Sequence, residues 1–196
     1  MSSPPDNAAS MSAARSVLLL VDYQHRLMPQ IHGGAQAVAR AVRMADAARE
    51  LGIRVLGTEQ NPAGLGPNDE AVRQRCASTL AKMHFDACED GLLELLGNDS
   101  TEDTQEDPAE VVIAGCEAHV CLLQTALGLL RAGRRVWVVA DACGSRSAQD
   151  HALAMQRLQQ AGATLVSTEM VVFEWLRSCT HPRFKPVLAL VKTKIE

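Results

Sequence analysis

The amino-acid sequence predicts a single α/β domain of three layers, α/β/α, with a six-stranded, mostly parallel, Rossmann-like sheet in the middle. Short unbroken apolar runs, of which Ser16–Val21 is the clearest, are typical of parallel strands that are covered on both faces. Segments of helical periodicity alternate with these runs, which is the pattern of a parallel sheet flanked by helices. A chain of 196 residues is long enough for one such domain and too short for two ordinary ones.

The predicted elements follow one another in a regular order. A glycine, Gly52, stands where a C-cap residue ends the first helix, and the later elements are separated by polar or glycine-containing loops. Strands are predicted at residues 16–21, 53–57, 78–83, 111–114, 135–140 and 163–167. Helices are predicted at residues 33–51, 120–131, 148–161, 171–176 and 182–192, with a short amphipathic segment at 86–96 and an acidic, solvated loop at 98–107.

The N-terminal segment differs in composition from the rest of the chain. Residues 1–14 are rich in Ser, Pro and Ala and lack the apolar run of a signal peptide. We therefore expect a disordered tail over residues 1–14, one domain over residues 15–196, and a cytoplasmic protein. The 6 cysteines contain no CxxC pair, and their spacing fits neither a zinc site nor a disulfide framework, so reduced thiols are expected.

The net charge and the hydropathy of the chain restrict the kinds of molecule that the protein is expected to bind. The chain has 19 Lys and Arg against 23 Asp and Glu, and the net charge of −4 is unfavourable for binding nucleic acid. No apolar run approaches the roughly 18 residues of a membrane span. The expected partner is a small-molecule substrate, with no nucleic acid and no membrane.

Three reactive side chains follow predicted strand ends, where parallel sheets bind their ligands. Asp22 comes directly after the first strand, Lys82 ends the third, and Cys121 lies just beyond the fourth, in the first turn of a helix. Lys82 is the only lysine before Lys185, in a chain that otherwise uses arginine. Lysine differs from arginine in having a pKa that its environment can shift. A helix N-terminus lowers the pKa of a thiol, so we expect Cys121 to be an activated nucleophile.

Each of these residues also has a simple structural interpretation. Cys121 could be a buried cysteine with no reactivity, Asp22 could cap the next segment or pair with an arginine, and Lys82 could lie on the surface. Position along the chain does not decide between these alternatives.

Five segments together resemble the isochorismatase-like cysteine hydrolase family, and in particular its isochorismatase domain-containing proteins. The segments are LLLVDYQ at 18–24, TEQNP at 58–62 with GLGP at 64–67, KMHF at 82–85, GCEAHVC at 115–121, and VVADA at 138–142 with SRS at 145–147. The resemblance covers nearly the whole chain and implies a six-stranded parallel sheet between helices, in agreement with the prediction made from periodicity. It also implies a homo-oligomer.

The resemblance implies a catalytic triad of Asp22, Lys82 and Cys121. In such a triad the aspartate accepts the thiol proton and the cysteine attacks an amide or related carbonyl to form a thioester. The resemblance further implies a cis peptide bond at Cys116–Glu117 and an oxyanion hole formed by the backbone N–H groups of Glu117 and Cys121. Four residues are expected to bind substrate, namely Tyr23, Gln60, Phe85 and Ala118.

Three departures from family patterns narrow the expected function. Relatives place Thr or Ser where this chain has Ala118, which removes a hydroxyl from the turn. The segment Thr58-Glu-Gln60 lacks the Asp-x-His metal site of nicotinamidases, so neither a metal nor any other cofactor is expected. True isochorismatases lack the cysteine at position 121, so isochorismate is not the expected substrate. The sequence therefore predicts a metal-independent cysteine hydrolase of a small amide, imide or ester. The alternative is a catalytically silent binding or scaffold protein of the same fold.

Overall fold

A computed structural model describes residues 10–97 and 110–195 of the protein. Within these residues, six strands form one sheet in the order β3-β2-β1-β4-β5-β6, and every neighbouring pair is parallel. The predicted fold class is confirmed. The strands are β1 (Ser16–Val21), β2 (Val55–Gln60), β3 (Ser78–Lys82), β4 (Glu110–Gly115), β5 (Arg135–Val139) and β6 (Thr164–Val166).

Helices cover both faces of this sheet. On one face α1 packs against α7 and α8, and on the other α5 packs against α6. The helices are α1 (Gly34–Glu50), α2 (Pro62–Leu65), α3 (Glu70–Arg73), α4 (Leu92–Gly97), α5 (Leu123–Arg131), α6 (Ala148–Gln160), α7 (Thr168–Leu176) and α8 (Phe184–Lys192). None of the helices in the described ranges is both long and apolar enough to cross a membrane.

The observed elements differ from the predicted ones in several places, among them two short helices that were not predicted, α2 and α3. Strand β2 continues to Gln60 rather than ending at residue 57, and a π-helical turn, Ala118–Leu122, precedes α5. The acidic loop predicted at 98–107 and residues 1–9 of the expected tail lie outside the described residues. At the end of that expected tail, Met11 is fully buried and its N–H donates to Glu174 Oε2 at 2.9 Å.

The central strand β1 is buried along its whole length, which explains its unbroken apolar sequence. It pairs with β2 through Val21 and Thr58 and with β4 through Val21 and Gly115. The chain passes to opposite sides of β1 at this point, since β2 and β3 lie on one side and β4 to β6 on the other. In open parallel sheets this switch of strand order forms the ligand-binding crevice.

The close approach of β1 and β4 at this edge depends on a glycine. A Cβ atom at Gly115 would lie 2.6 Å from the Cβ of Val21 and would also collide with the Val21 backbone. Any side chain there would therefore push the two strand ends apart.

We expect Gly115→Ala to lower the free energy of unfolding by at least about 2 kcal/mol, because overpacking against backbone cannot be relieved by a side-chain rotation. Urea denaturation measures the change. Gly97→Ala is the matched control, since a Cβ at Gly97 meets no heavy atom within 4 Å. Equal stability of the two variants would contradict the role of Gly115.

Candidate active site

The carboxyl ends of the first three strands bring charged and polar side chains to one corner of the sheet. Asp22 follows β1, while Gln60 and Lys82 are the last residues of β2 and β3. Cys121 comes from the π-helical turn after β4. The structure thus brings together Asp22, Lys82 and Cys121, which lie far apart in the sequence.

Asp22 and Lys82 form a fully buried ion pair. The distance from Lys82 Nζ to Asp22 Oδ2 is 2.9 Å, and neither side chain has exposed surface. Asp22 also acts on the neighbouring Cys121 thiol, through its charge and through a side-chain hydrogen bond. The carboxylate therefore contacts both the ammonium and the thiol.

The other oxygen of Asp22 is held by the neighbouring strand. Thr58 Oγ1 donates to Asp22 Oδ1 at 2.6 Å, and the N–H of Asp22 donates to the Thr58 carbonyl at 3.2 Å. The backbone of Asp22 has a φ of 52°, in the left-handed region that non-glycine residues seldom occupy. Such conformations persist where the surroundings hold them, and they cluster at functional sites.

The ammonium of Lys82 is surrounded by acceptors. It donates to Gln60 Oε1 at 2.6 Å and to the carbonyl oxygens of His84 at 3.3 Å and Phe85 at 3.5 Å. A charge with no exposure needs such partners to offset its loss of hydration. The structural alternative of a surface lysine is therefore excluded.

The thiol of Cys121 lies beside this ion pair and is 6% exposed. Its Sγ is 3.9 Å from Gln60 Oε1. Burial, followed by the negative charge of Asp22, raises the pKa of Cys121 to about 12, and the Lys82 ammonium lowers it only in part. The expectation of a lowered pKa is wrong for the resting protein, because burial and a nearby carboxylate outweigh the helix N-terminus. The resting site holds a thiol.

The turn that carries Cys121 begins with a cis peptide bond between Cys116 and Glu117, as the resemblance implied. The Glu117 carbonyl accepts from the N–H groups of Val120 and Leu122 at 3.0 and 3.2 Å. In the described part of the chain, the N–H of Glu117 itself has no acceptor. This donor is available to an oxygen of a bound molecule.

The four expected substrate-binding residues lie in different environments. Phe85 is 50% exposed and Gln60 is 8% exposed. Tyr23 and Ala118 have no exposed surface, because the Tyr23 hydroxyl donates to the Ala142 carbonyl at 2.6 Å and Ala118 packs in the core. The structure does not bring these last two to a surface where a ligand could touch them.

Two polar residues near the site were not singled out from the sequence, namely Thr58 as a partner of Asp22 and Gln24 as a partner of Gln60. Both are fully buried polar side chains. The signal that could have found them is a polar residue at the end of an apolar strand, because such a group must be hydrogen-bonded when buried. Across residues 10–97 and 110–195, no group of three or more His, Cys, Asp or Glu side chains is arranged to hold a metal ion.

The isochorismatase domain model matches residues 16–170. The chain belongs to the isochorismatase-like hydrolase family. Mouse isochorismatase domain-containing protein 2A is 35% identical over 180 residues, which are 92% of this chain and 84% of the relative. The human isochorismatase domain-containing protein 2 is 37% identical over 177 residues, 90% of this chain and 83% of the relative.

Solved structures agree with this assignment to the isochorismatase-like family. The structure of the MAR1 ribonuclease from Caenorhabditis elegans superposes with a TM-score of 0.87 and 32% sequence identity. The superposition covers 96% of this chain and 95% of that one. The resemblance drawn from the sequence motifs is thereby confirmed.

The two buried charges are expected to act on Cys121 in opposite directions. Asp22→Asn removes a charge that raises the pKa of Cys121, so the thiolate fraction increases and iodoacetamide labels the thiol about tenfold faster or more at about pH 8.5. Lys82→Met removes the charge that lowers this pKa, so labelling slows. Mass spectrometry of native protein measures both rates, with the exposed Cys179 as internal reference.

A general loosening of the site would instead speed the labelling of both variants. Unchanged rates in both would contradict the influence of Asp22 and Lys82 on the thiol.

Proposed function

We propose that the protein is a metal-independent cysteine hydrolase that cleaves a small amide, imide or ester through a thioester, with Asp22, Lys82 and Cys121 as its catalytic triad. The observation that carries this proposal is that Asp22 contacts both the Lys82 ammonium and the Cys121 thiol. A buried carboxylate paired with an ammonium stands beside a thiol that is protonated at rest. A base and a nucleophile in such proximity are what covalent hydrolysis requires.

In the first half of the proposed reaction, Asp22 Oδ2 takes the proton of the Cys121 thiol as Sγ attacks the carbonyl carbon. The carbonyl π electrons move to oxygen, which becomes an oxyanion held by the N–H groups of Glu117 and Cys121. The oxyanion then collapses, and the bond from carbon to the leaving nitrogen or oxygen breaks. The leaving group takes the proton from Asp22 and departs as an amine, ammonia or an alcohol.

In the second half, a water molecule gives a proton to Asp22 and attacks the thioester carbon. The carbon–sulfur bond breaks, the sulfur takes the proton back from Asp22, and the carboxylic acid leaves. The Lys82 ammonium, 2.9 Å from Oδ2, holds the Asp22 carboxylate in position and pairs with its charge before and after each proton transfer. These steps use only the substrate, water and side chains of this chain, without a cofactor.

The surroundings of the triad support a small and partly apolar substrate. Gln60 and Phe85 are proposed to face the substrate, and Phe85 presents an exposed ring next to the backbone that contacts Lys82. Tyr23 and Ala118 are proposed to lie beneath the substrate site and to support the turn that carries Cys121, without touching the substrate. Exposed apolar side chains at Met83 and Phe85 also support the expectation of a homo-oligomer.

We expect Cys121→Ala to lower turnover of a responsive amide or ester by at least about a thousandfold, because the variant lacks the thiol that is proposed to form the thioester. A panel of small amides, imides and esters identifies the substrate, and intact-protein mass spectrometry detects the acyl adduct. Cys179→Ala is the matched control and retains full activity, since Cys179 is an exposed cysteine outside the triad.

Three outcomes would overturn this proposal. Full activity of Cys121→Ala would exclude the triad. Ligand binding without turnover by the unaltered protein, at equal affinity in Cys121→Ala, would favour the silent binding protein. RNA cleavage by the unaltered protein would show that this chain shares the activity named for its Caenorhabditis elegans relative rather than the one proposed.

The exposed ring of Phe85 provides a test of substrate contact. We expect Phe85→Ala to raise KM about tenfold with a smaller change in kcat, because the variant loses apolar surface that binds the ground state and the transition state alike. Phe173→Ala is the control, since Phe173 is also an exposed phenylalanine and lies on α7. Steady-state kinetics measures both. An unchanged KM in Phe85→Ala would remove Phe85 from the substrate site.

A further inference from the structure

One uncharged oxygen lies between the nucleophile and the ammonium of the site. Gln60 Oε1 is 2.6 Å from Lys82 Nζ and 3.9 Å from Cys121 Sγ. Both groups are hydrogen-bond donors in the resting protein, so this amide oxygen accepts from both. The side chain that offers it is 8% exposed and comes from the last residue of the strand between Asp22 and Lys82.

The orientation of this amide is fixed by its other contacts. Gln60 Nε2 donates to the Met83 carbonyl at 2.8 Å, which leaves Oε1 to face Lys82 and Cys121. An amide flipped the other way would direct its NH₂ donors at the ammonium and its oxygen at a carbonyl, and both contacts would be repulsive. The hydrogen bonds therefore determine which atom faces the thiol.

The backbone of Gln60 is also held in place by hydrogen bonds, which come from the side chain of Gln24. Gln24 Oε1 accepts from the Gln60 N–H at 2.8 Å, and Gln24 Nε2 donates to the carbonyls of Gln60 at 2.9 Å and Gly66 at 2.7 Å. The next residue, Asn61, donates its N–H to the Lys82 carbonyl at 2.8 Å. The strand end thus presents the amide in one position.

We infer that Gln60 is a positioning residue, whose amide oxygen holds the Lys82 ammonium against Asp22 and keeps the Cys121 thiol protonated until a substrate carbonyl arrives. The inference rests on the proposed function in taking Cys121 as the nucleophile. It changes the role expected for Gln60 from the sequence, because the oxygen is already engaged with two members of the triad.

The physical reason lies in which protonation state each contact favours. A hydrogen bond from the S–H group stabilises the neutral thiol, and a hydrogen bond from the ammonium stabilises charged lysine. The titratable side chains that act on Cys121 are Asp22, which raises its pKa, and Lys82, which lowers it. Gln60 adds to the effect of Asp22 on the pKa of Cys121 by accepting a hydrogen bond from the neutral thiol.

The first test removes the oxygen and keeps the length of the side chain. In Gln60→Met the thiol loses its acceptor, so we expect iodoacetamide to label Cys121 roughly three- to tenfold faster at about pH 8.5, where the rate follows the thiolate fraction. At the same time kcat falls about tenfold to a hundredfold with little change in KM, because Lys82 loses a charge-assisted hydrogen bond. A residue that only bound substrate would raise KM and leave the labelling rate unchanged.

A second variant at Gln60 is expected to change the labelling rate of Cys121 in the opposite direction. Gln60→Glu keeps the shape of the side chain but places a negative charge beside the thiol, so labelling of Cys121 slows. Gln24→Met is the structural control. This variant removes the hydrogen bonds that hold the Gln60 backbone but keeps both the amide oxygen of Gln60 and the thiol of Cys121. It is therefore not expected to reproduce the opposite labelling changes of the two Gln60 variants.

The inference is overturned if both Gln60 variants label at the unaltered rate, or if Gln24→Met speeds labelling as much as Gln60→Met. The labelling experiment needs no substrate, which separates this inference from the proposed hydrolase. If the two Gln60 variants change the Cys121 labelling rate in opposite directions but the protein hydrolyses no substrate, the role of Gln60 is supported and the proposed hydrolase is overturned. If turnover depends on Cys121 but neither Gln60 variant changes the labelling rate, the hydrolase is supported and the role of Gln60 is overturned.

Discussion

The buried contact between Asp22 and Lys82 is the constraint on which the rest of the site depends. Two opposite charges without exposed surface lose all their hydration, and their mutual attraction repays this cost only when further hydrogen bonds satisfy both groups. Thr58 supplies one such bond to the carboxylate, and Gln60 supplies one to the ammonium. Both residues belong to the strand between the two charges, so the pairing of β1, β2 and β3 determines the geometry of the site.

The register of these strands has a direct chemical consequence. Val21 lies opposite Thr58, and Gln60 lies opposite Lys82. A shift of one residue would turn the side chains at the end of β2 to the other face of the sheet. The carboxylate and the ammonium would then each lose a buried partner, at a cost of several kcal/mol. The buried apolar residues within the strands and the polar residues at the strand ends are therefore satisfied by the same pairing register.

What distinguishes Cys121 from other cysteines is its neighbours rather than its pKa. Burial raises the pKa of Cys143 to about 12, as it does that of Cys121. Among the cysteines in the described residues, Cys121 is the one whose pKa a lysine lowers, and Asp22 lies beside the same thiol. A thiol that stays protonated until it meets a substrate is protected from alkylation and oxidation, since the thiolate is the reactive form. In the proposed reaction, the reactivity of Cys121 depends on Asp22 as the proton acceptor.

The sequence predicted most of the fold because parallel strands buried on both faces have unbroken apolar runs. Its error on β2 has a physical cause. The apolar run ends at Gly57, but Thr58 and Gln60 continue to pair with β3 and carry the polar groups of the site. Positions of Asp22, Lys82 and Cys121 after strands were predictable, whereas the direction of the Cys121 pKa was not. It depends on burial and on Asp22, which local sequence does not reveal.

The absence of a hydroxyl at Ala118 is compatible with an intact site, because of where this residue lies. Ala118 is fully buried, and its N–H donates to the Gly144 carbonyl at 2.7 Å. The N–H of Gly144 in turn donates to the Gly115 carbonyl at 3.1 Å, and Tyr23 holds Ala142 in the same loop. The turn is thus positioned through backbone hydrogen bonds that do not involve the side chain at position 118. Because Ala118 has no exposed surface, a small side chain at this position lies within packed protein rather than in solvent.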